Sequence, residues 1–211
     1  MTNSACHSPG RRRALCSRAG PCALRLLGIV LFLLSSCRKA PPPGPIHFAR
    51  EEVSMDVAPG VLEVRGNYHL ASTAADPLVA VLFYPFPLDS TCVYPDSVEI
   101  AGRDFARSDS GVSFRMRFRP GAEDSFFAYY RQPLRAGSAR YIVTSTRKWQ
   151  RPIDRARFRV TVPAAFEDVK LSYRPDSVRR TDSTVTYVFS RHGFFPDRDV
   201  MVNWRAGPGR N

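Results

Sequence analysis

From Arg50 onward the chain alternates apolar and polar residues with a period of two, and this limits its possible folds more than any other feature. In SFRMRFRP, Phe114, Met116 and Phe118 alternate with Arg115, Arg117 and Arg119. In DRARFRVTV, Ala156, Phe158, Val160 and Val162 alternate with Arg155, Arg157, Arg159 and Thr161. Successive side chains of a strand point to opposite faces, so each stretch predicts a strand with one buried and one wet side. Similar stretches occur at Val53–Val57, Val61–Leu70, Val98–Ile100, Phe126–Arg131, Ala139–Thr146, Val169–Leu171, Val178 or Val185 to Phe189, and Val200–Trp204. Leu78–Phe86 is almost continuously apolar and predicts a strand buried on both sides, ended by Pro85 and Pro87. Ten to eleven short strands between Pro-, Gly- and Asp-rich turns predict an all-β fold: an antiparallel two-sheet sandwich without a helix. One domain over 48–205 and a flexible tail at 206–211 is the simplest partition. A break near Arg147 into two smaller sandwiches is the alternative.

The formal charge of +12 suggests nucleic acid until it is divided along the chain. Residues 1–36 hold Arg11, Arg12, Arg13, Arg18 and Arg25 and no acid, which leaves +7 for the remainder. Single-stranded nucleic acid also calls for aromatic rings on the basic face. Here Phe114, Phe118 and Phe158 fall on the side opposite the arginines, so a nucleic-acid partner is not expected. Arginine outnumbers lysine 28 to 3, a bias that a GC-rich genome produces without any binding pressure.

The first 45 residues follow a different logic. The arginines precede an apolar run, Leu26–Leu34, which ends at Ser35-Ser36-Cys37 and passes into Arg38-Lys39 and then APPPGP. Nine residues fall short of the roughly 20 that span a bilayer, so the run reads as a signal peptide. Leu34-Ser35-Ser36-Cys37 resembles the lipobox of bacterial lipoproteins. The resemblance implies cleavage between Ser36 and Cys37, a diacylglycerol thioether on Cys37 and a membrane-lipid partner. It places the protein at the cell membrane or outer membrane, facing the periplasm or exterior. On this reading 1–36 is leader and 37–47 is a lipidated, proline-stiffened stalk, extended at about 3 Å per residue. Cys6, Cys16 and Cys22 would leave with the leader, so Cys92 would be the single thiol of the mature chain.

Catalytic motifs are missing. There is no His-Glu-x-x-His, no Cys-x-x-Cys and no Gly-x-Ser-x-Gly, and the sequence predicts neither a metal site nor a cofactor. Asp197 and Asp199 read as turn carboxylates, and Cys92 as a small, partly buried residue. Two basic ladders stand out, Arg115–Arg117–Arg119 and Arg155–Arg157–Arg159. Either they are solvated faces paired with acids, or they bind an anionic glycan or lipopolysaccharide. Tyr129 and Tyr130 would then be exposed aromatic contacts. A second resemblance covers YIVTSTRKWQRPIDRARFRVTVP (141–163) and FFPDRDVMVNW (194–204), through Tyr141, Thr144, Trp149, Pro152 and Ile153. These stretches are similar to exported bacterial β-sandwich proteins of uncharacterised role, which implies a fold but no catalytic residue. Trp149 is expected to be a packing anchor. The resulting expectation is a lipid-anchored, non-enzymatic structural or binding module, with other envelope proteins or an anionic glycan as partners. A hydrolase whose site is assembled from loops is the alternative.

Overall fold

The computed structural model describes residues 44–206; Ser36, Cys37, the expected leader and most of the expected stalk lie outside them, as do residues 207–211 of the expected 206–211 tail, whose Ala206 ends the last strand. Thirteen strands form among the described residues: β1 (Ile46–Ala58), β2 (Val61–Ser72), β3 (Leu78–Pro85), β4 (Ser97–Ile100), β5 (Phe105–Ser108), β6 (Gly111–Phe118), β7 (Glu123–Pro133), β8 (Ser138–Tyr141), β9 (Ile153–Pro163), β10 (Phe166–Leu171), β11 (Ser177–Arg180), β12 (Thr184–Phe194) and β13 (Val200–Ala206). They make one seven-stranded sheet in the order β11-β12-β9-β1-β2-β7-β4. Two three-stranded sheets accompany it, β10-β13-β8 and β3-β6-β5. The all-β expectation holds, but the strands number thirteen and the sheets three, instead of ten or eleven strands in two sheets.

Both small sheets cover the same face of the large one. Tyr84 of β3 meets Tyr68 of β2 and Tyr130 of β7 edge-on, Phe114 of β6 meets Phe126 of β7, and Tyr141 of β8 meets Phe158 of β9. The alternation read from the sequence drives this packing: Phe114, Met116, Phe118, Ala156, Phe158, Val160 and Val162 are all buried. Each large apolar side chain so removed from water contributes roughly 1.5–3 kcal/mol.

Three local expectations are corrected. The large sheet is not wholly antiparallel, because β1 pairs parallel with β9, from Arg50 opposite Arg155 to Asp56 opposite Thr161. This pairing joins strands from either side of Arg147 in one sheet. The strand expected over Ala139–Thr146 ends at Tyr141, and a 3-10 helix follows at Thr144–Trp149. Asp199, at the entry to β13, accepts the Thr144 N–H at 3.1 Å and its hydroxyl at 2.7 Å, which turns the chain out of the sheet. Finally, β3 is not buried on both sides. It is the edge of its small sheet, and Val79, Val81 and Phe83 stand 56%, 67% and 49% exposed on its outer face.

Gly66 serves the packing directly. The Tyr68 ring folds back over it on the same face of β2, and a Cβ at position 66 would collide with the ring and its hydroxyl. Tyr68 is itself buried, so the ring has nowhere to retreat. Gly66→Ala is expected to cost roughly 1–3 kcal/mol by overpacking, read as a lowered urea midpoint with an unchanged slope.

Candidate functional site

A cavity of about 170 Å³ lies between the large sheet and the sheet edges over it, walled by Phe48, Glu51, Tyr68, Leu82, Tyr84, Phe126, Tyr141, Thr146 and Trp149 among others. An apolar cavity of about 150 Å³ holds a benzene ring, so this one suits a small ring-sized body. Its geometry starts from an irregularity in β1. The β1–β2 register shifts between Phe48 and Arg50, a β-bulge that reverses the phase of the strand. Phe48 ahead of the bulge and Glu51 behind it therefore both line the cavity, although an unbroken strand would point them to opposite faces.

Glu51 is 1% exposed, and its cross-strand partners are Tyr68 on β2 and Ala156 on β9. Tyr141 donates to Glu51 Oε1 at 2.5 Å. The Tyr68 and Tyr141 hydroxyls are 3.0 Å apart, and those of Tyr68 and Tyr84 are 2.8 Å apart. A hydroxyl has one proton to give. With the Tyr141 proton committed to Glu51, Tyr68 donates to Tyr141 and Tyr84 donates to Tyr68, so the chain of hydroxyls points its protons at the carboxyl. Glu51 Oε2 is buried without a partner. Burial raises the Glu51 carboxyl from its ordinary 4.5 to about 7, partly opposed by the hydrogen bond from Tyr141. Burial likewise pushes Tyr68, Tyr84 and Tyr141 well above the usual phenol range, so all three are neutral.

The other walls combine aromatic rings with aliphatic Val81, Leu82, Pro85 and Ile142. Trp149, half-buried at the end of the 3-10 helix, meets Phe48 edge-on at 5.3 Å, and Phe48 meets Tyr68 at 6.5 Å. Trp149 thus packs against its neighbours and also forms a wall of the cavity. Gln150, with φ of 55°, ends the helix in the left-handed region. The cavity walls hold one carboxyl, the Lys148 ammonium and the Ser145 and Thr146 hydroxyls, and no histidine or cysteine. That set can hold a polar group beside the Glu51 carboxyl and an apolar body between the rings. It does not supply the two carboxylates of glycoside hydrolysis.

The residues singled out from the sequence scatter elsewhere. Arg115 and Arg117 project from β6 and Arg119 lies just beyond it; Arg155, Arg157 and Arg159 project from β9. All six are exposed, and none pairs with a carboxylate among the described residues. The inner faces of β6 and β9 point toward one another across the core, so the two ladders lie on opposite outer surfaces and cannot form one patch. Tyr130 is buried rather than exposed, and Tyr129 is half-buried beneath Arg65, 5.2 Å from ring centre to guanidinium. Cys92 is a buried free thiol. Asp197 pairs with Arg198, while Asp199 holds the helix that carries Trp149. Among the described residues no three His, Cys, Asp or Glu side chains gather in a metal-binding group, and no helix is long and apolar enough to cross a membrane.

No protein-family profile matches the chain, and no curated protein is similar to it. Among solved structures, a Legionella pneumophila protein described as a candidate nutrient-binding protein superposes with a TM-score of 0.56 at 13% identity, over 76% of this chain and 67% of that one. This likeness shows a shared fold. An M1 zinc metallopeptidase from Deinococcus radiodurans gives a TM-score of 0.47 at 14% identity, over 76% of this chain and 42% of that one. A mutant of that peptidase bound to a Tyr-Ser-Ala substrate also gives 0.47, at 15% identity. The chain spans less than half the length of the peptidase.

Glu51 makes the stability depend on pH. The folded chain holds the carboxyl neutral up to about 7, whereas the unfolded chain releases the proton near 4.5. Stability from the neutral side chain is complete below pH 4.5 and declines as pH rises through 7, by up to about 3 kcal/mol. Glu51→Gln cannot titrate, so urea denaturation should show it gaining on the wild type over that window and exceeding it above pH 7.

Proposed function

We propose that this protein is a lipid-anchored, non-enzymatic binding module of the cell envelope that takes a small ligand in the Glu51 cavity. The observation that carries the reading is a buried carboxyl with one unpartnered oxygen at the wall of an aromatic cavity. Leaving such a group unpaired costs roughly 1–3 kcal/mol or more, and a ligand that hydrogen-bonds to it recovers that cost. The ligand therefore has a ring-sized apolar body and a polar group matched to the carboxyl: an acceptor for the protonated form held below about 7, or an amine or hydroxyl that donates to the ionised form above it. Phe48, Tyr68 and Trp149 contact the body, and Glu51 takes the polar group. The neutral tyrosines and the single carboxyl favour holding a molecule over hydrolysing one.

The anchor rests on the lipobox-like Leu34–Cys37 and on the basic, proline-rich stretch behind it. A two-sheet sandwich remains a fair approximation of the body only if the two small sheets are counted as one layer. At the surface, the unpaired Arg155, Arg157 and Arg159 support a second reading, a contact for an anionic glycan or lipopolysaccharide.

Two measurements test this proposal. Mass spectrometry of the mature N-terminus should find an acylated Cys37, and Cys37→Ala should leave the membrane fraction; an unmodified terminus elsewhere would remove the anchor. With Trp204 replaced by Phe, Trp149 becomes the sole tryptophan reporter. Small aromatic amines and alcohols should change its emission, and Glu51→Ala should weaken the binding by about tenfold or more. If no such ring-sized molecule binds, the cavity has no ligand role.

A further inference from the structure

The outer face of the β3–β6 pair combines two features that are separate elsewhere on the molecule. Val79, Val81 and Phe83 are three of the five large apolar side chains exposed among the described residues, and they form one row on an edge strand. In the antiparallel register Val79 lies opposite Arg117 and Val81 opposite Arg115, so a basic row runs directly beside the apolar one. Arg115, Arg117 and Arg103 surround an open hollow of about 460 Å³ next to Val79. Arg103 is committed to Asp124 at 3.8 Å, whereas Arg115 and Arg117 have no carboxylate partner among the described residues.

The stalk enters the body at this place. The Pro45 carbonyl accepts the Thr73 N–H at 2.7 Å, and Gly44, Pro45 and Ile46 line one groove with Leu78, Ala80 and Val81. From Cys37 to Gly44 the chain reaches roughly 25 Å at full extension. A lipid on Cys37 would therefore hold Gly44, which shares that groove with β3, within that reach of the headgroups.

We propose that this face, Val79, Val81 and Phe83 with Arg115 and Arg117, seats the body on the membrane surface. The inference rests on the lipid anchor of the proposed function and adds an orientation to it. Guanidiniums bind headgroup phosphates of an anionic leaflet, while the valines and the phenylalanine enter the headgroup boundary. Three apolar side chains are too few to hold a protein there alone, but they orient one already tethered. The opposite surface, with Arg155, Arg157 and Arg159, then faces away from the bilayer.

The test uses the acylated protein, purified from membranes and reconstituted into vesicles of phosphatidylcholine and phosphatidylglycerol. A bimane label is placed at Val81→Cys or, on the opposite surface, at Arg157→Cys; both sites are exposed, and Cys92 is buried and so protected from labelling. Lipids carrying a nitroxide near the headgroup should quench the label at 81 at least about twofold more than at 157, and Arg115→Gln with Arg117→Gln or raised salt should reduce that difference. Equal quenching at both sites, in protein that floats with the vesicles, overturns the orientation and leaves the anchor standing. Protein that does not float overturns both. Shielding of the label from iodide that persists without vesicles assigns the face to a second copy of the chain and overturns the proposal.

Discussion

The architecture depends on β1 being hydrogen-bonded along both edges. It pairs antiparallel with β2 through the Pro59-Gly60 turn, where Gly60 takes a φ of 74°, and parallel with β9, a strand that arrives only after eight intervening elements. A parallel neighbour needs a long crossover. Here the crossover contains β3-β6-β5 and β8, four of the six strands that cover the inner face; β10 and β13 follow β9. One pairing thus joins the two halves of the large sheet and leaves the crossover to supply most of its cover. Glu51 lies inside the doubly paired stretch, so its backbone cannot swing the carboxyl out to water.

The cavity follows from that restraint. A carboxyl held 1% exposed must be neutralised or hydrogen-bonded. The chain does both in part: burial raises its pKa to about 7, and Tyr141, backed by Tyr68 and Tyr84, donates to one oxygen. Each of the three tyrosines comes from a different strand, β8, β2 and β3, one from each sheet. The hydroxyl chain is therefore a tertiary object that ties all three sheets together at the cavity wall. Asp199 adds a fourth tie by fixing the helix that brings in Trp149.

Much of the body was legible in the sequence where a strand has two unlike faces. At β6 and β9 the alternating arginines named the wet side and the apolar residues named the core, and both assignments hold. The reading failed where a strand's surroundings decide its burial. Val79, Val81 and Phe83 look like core, yet β3 edges a sheet too small to be covered on its outside. Tyr130, in phase with Phe126 and Ala128, was recoverable as a buried residue from parity alone. Glu51 also had a signal, since it shares the phase of Val53, Met55 and Val57 and so sits on the apolar face of its strand. Phe48 had none, because the bulge that returns it to the same face leaves no mark in the pattern.

The sequence by itself determined the all-β class and the placement of most core side chains, because strand periodicity is a local property. Only the tertiary structure decided that there are three sheets, that β1 runs parallel to β9, that the arginine ladders stand on opposite surfaces, and that Glu51 meets three tyrosines beside Trp149. These depend on contacts between residues as far apart as Glu51 and Tyr141, 90 positions along the chain, and no period in a sequence encodes which distant strands will face one another.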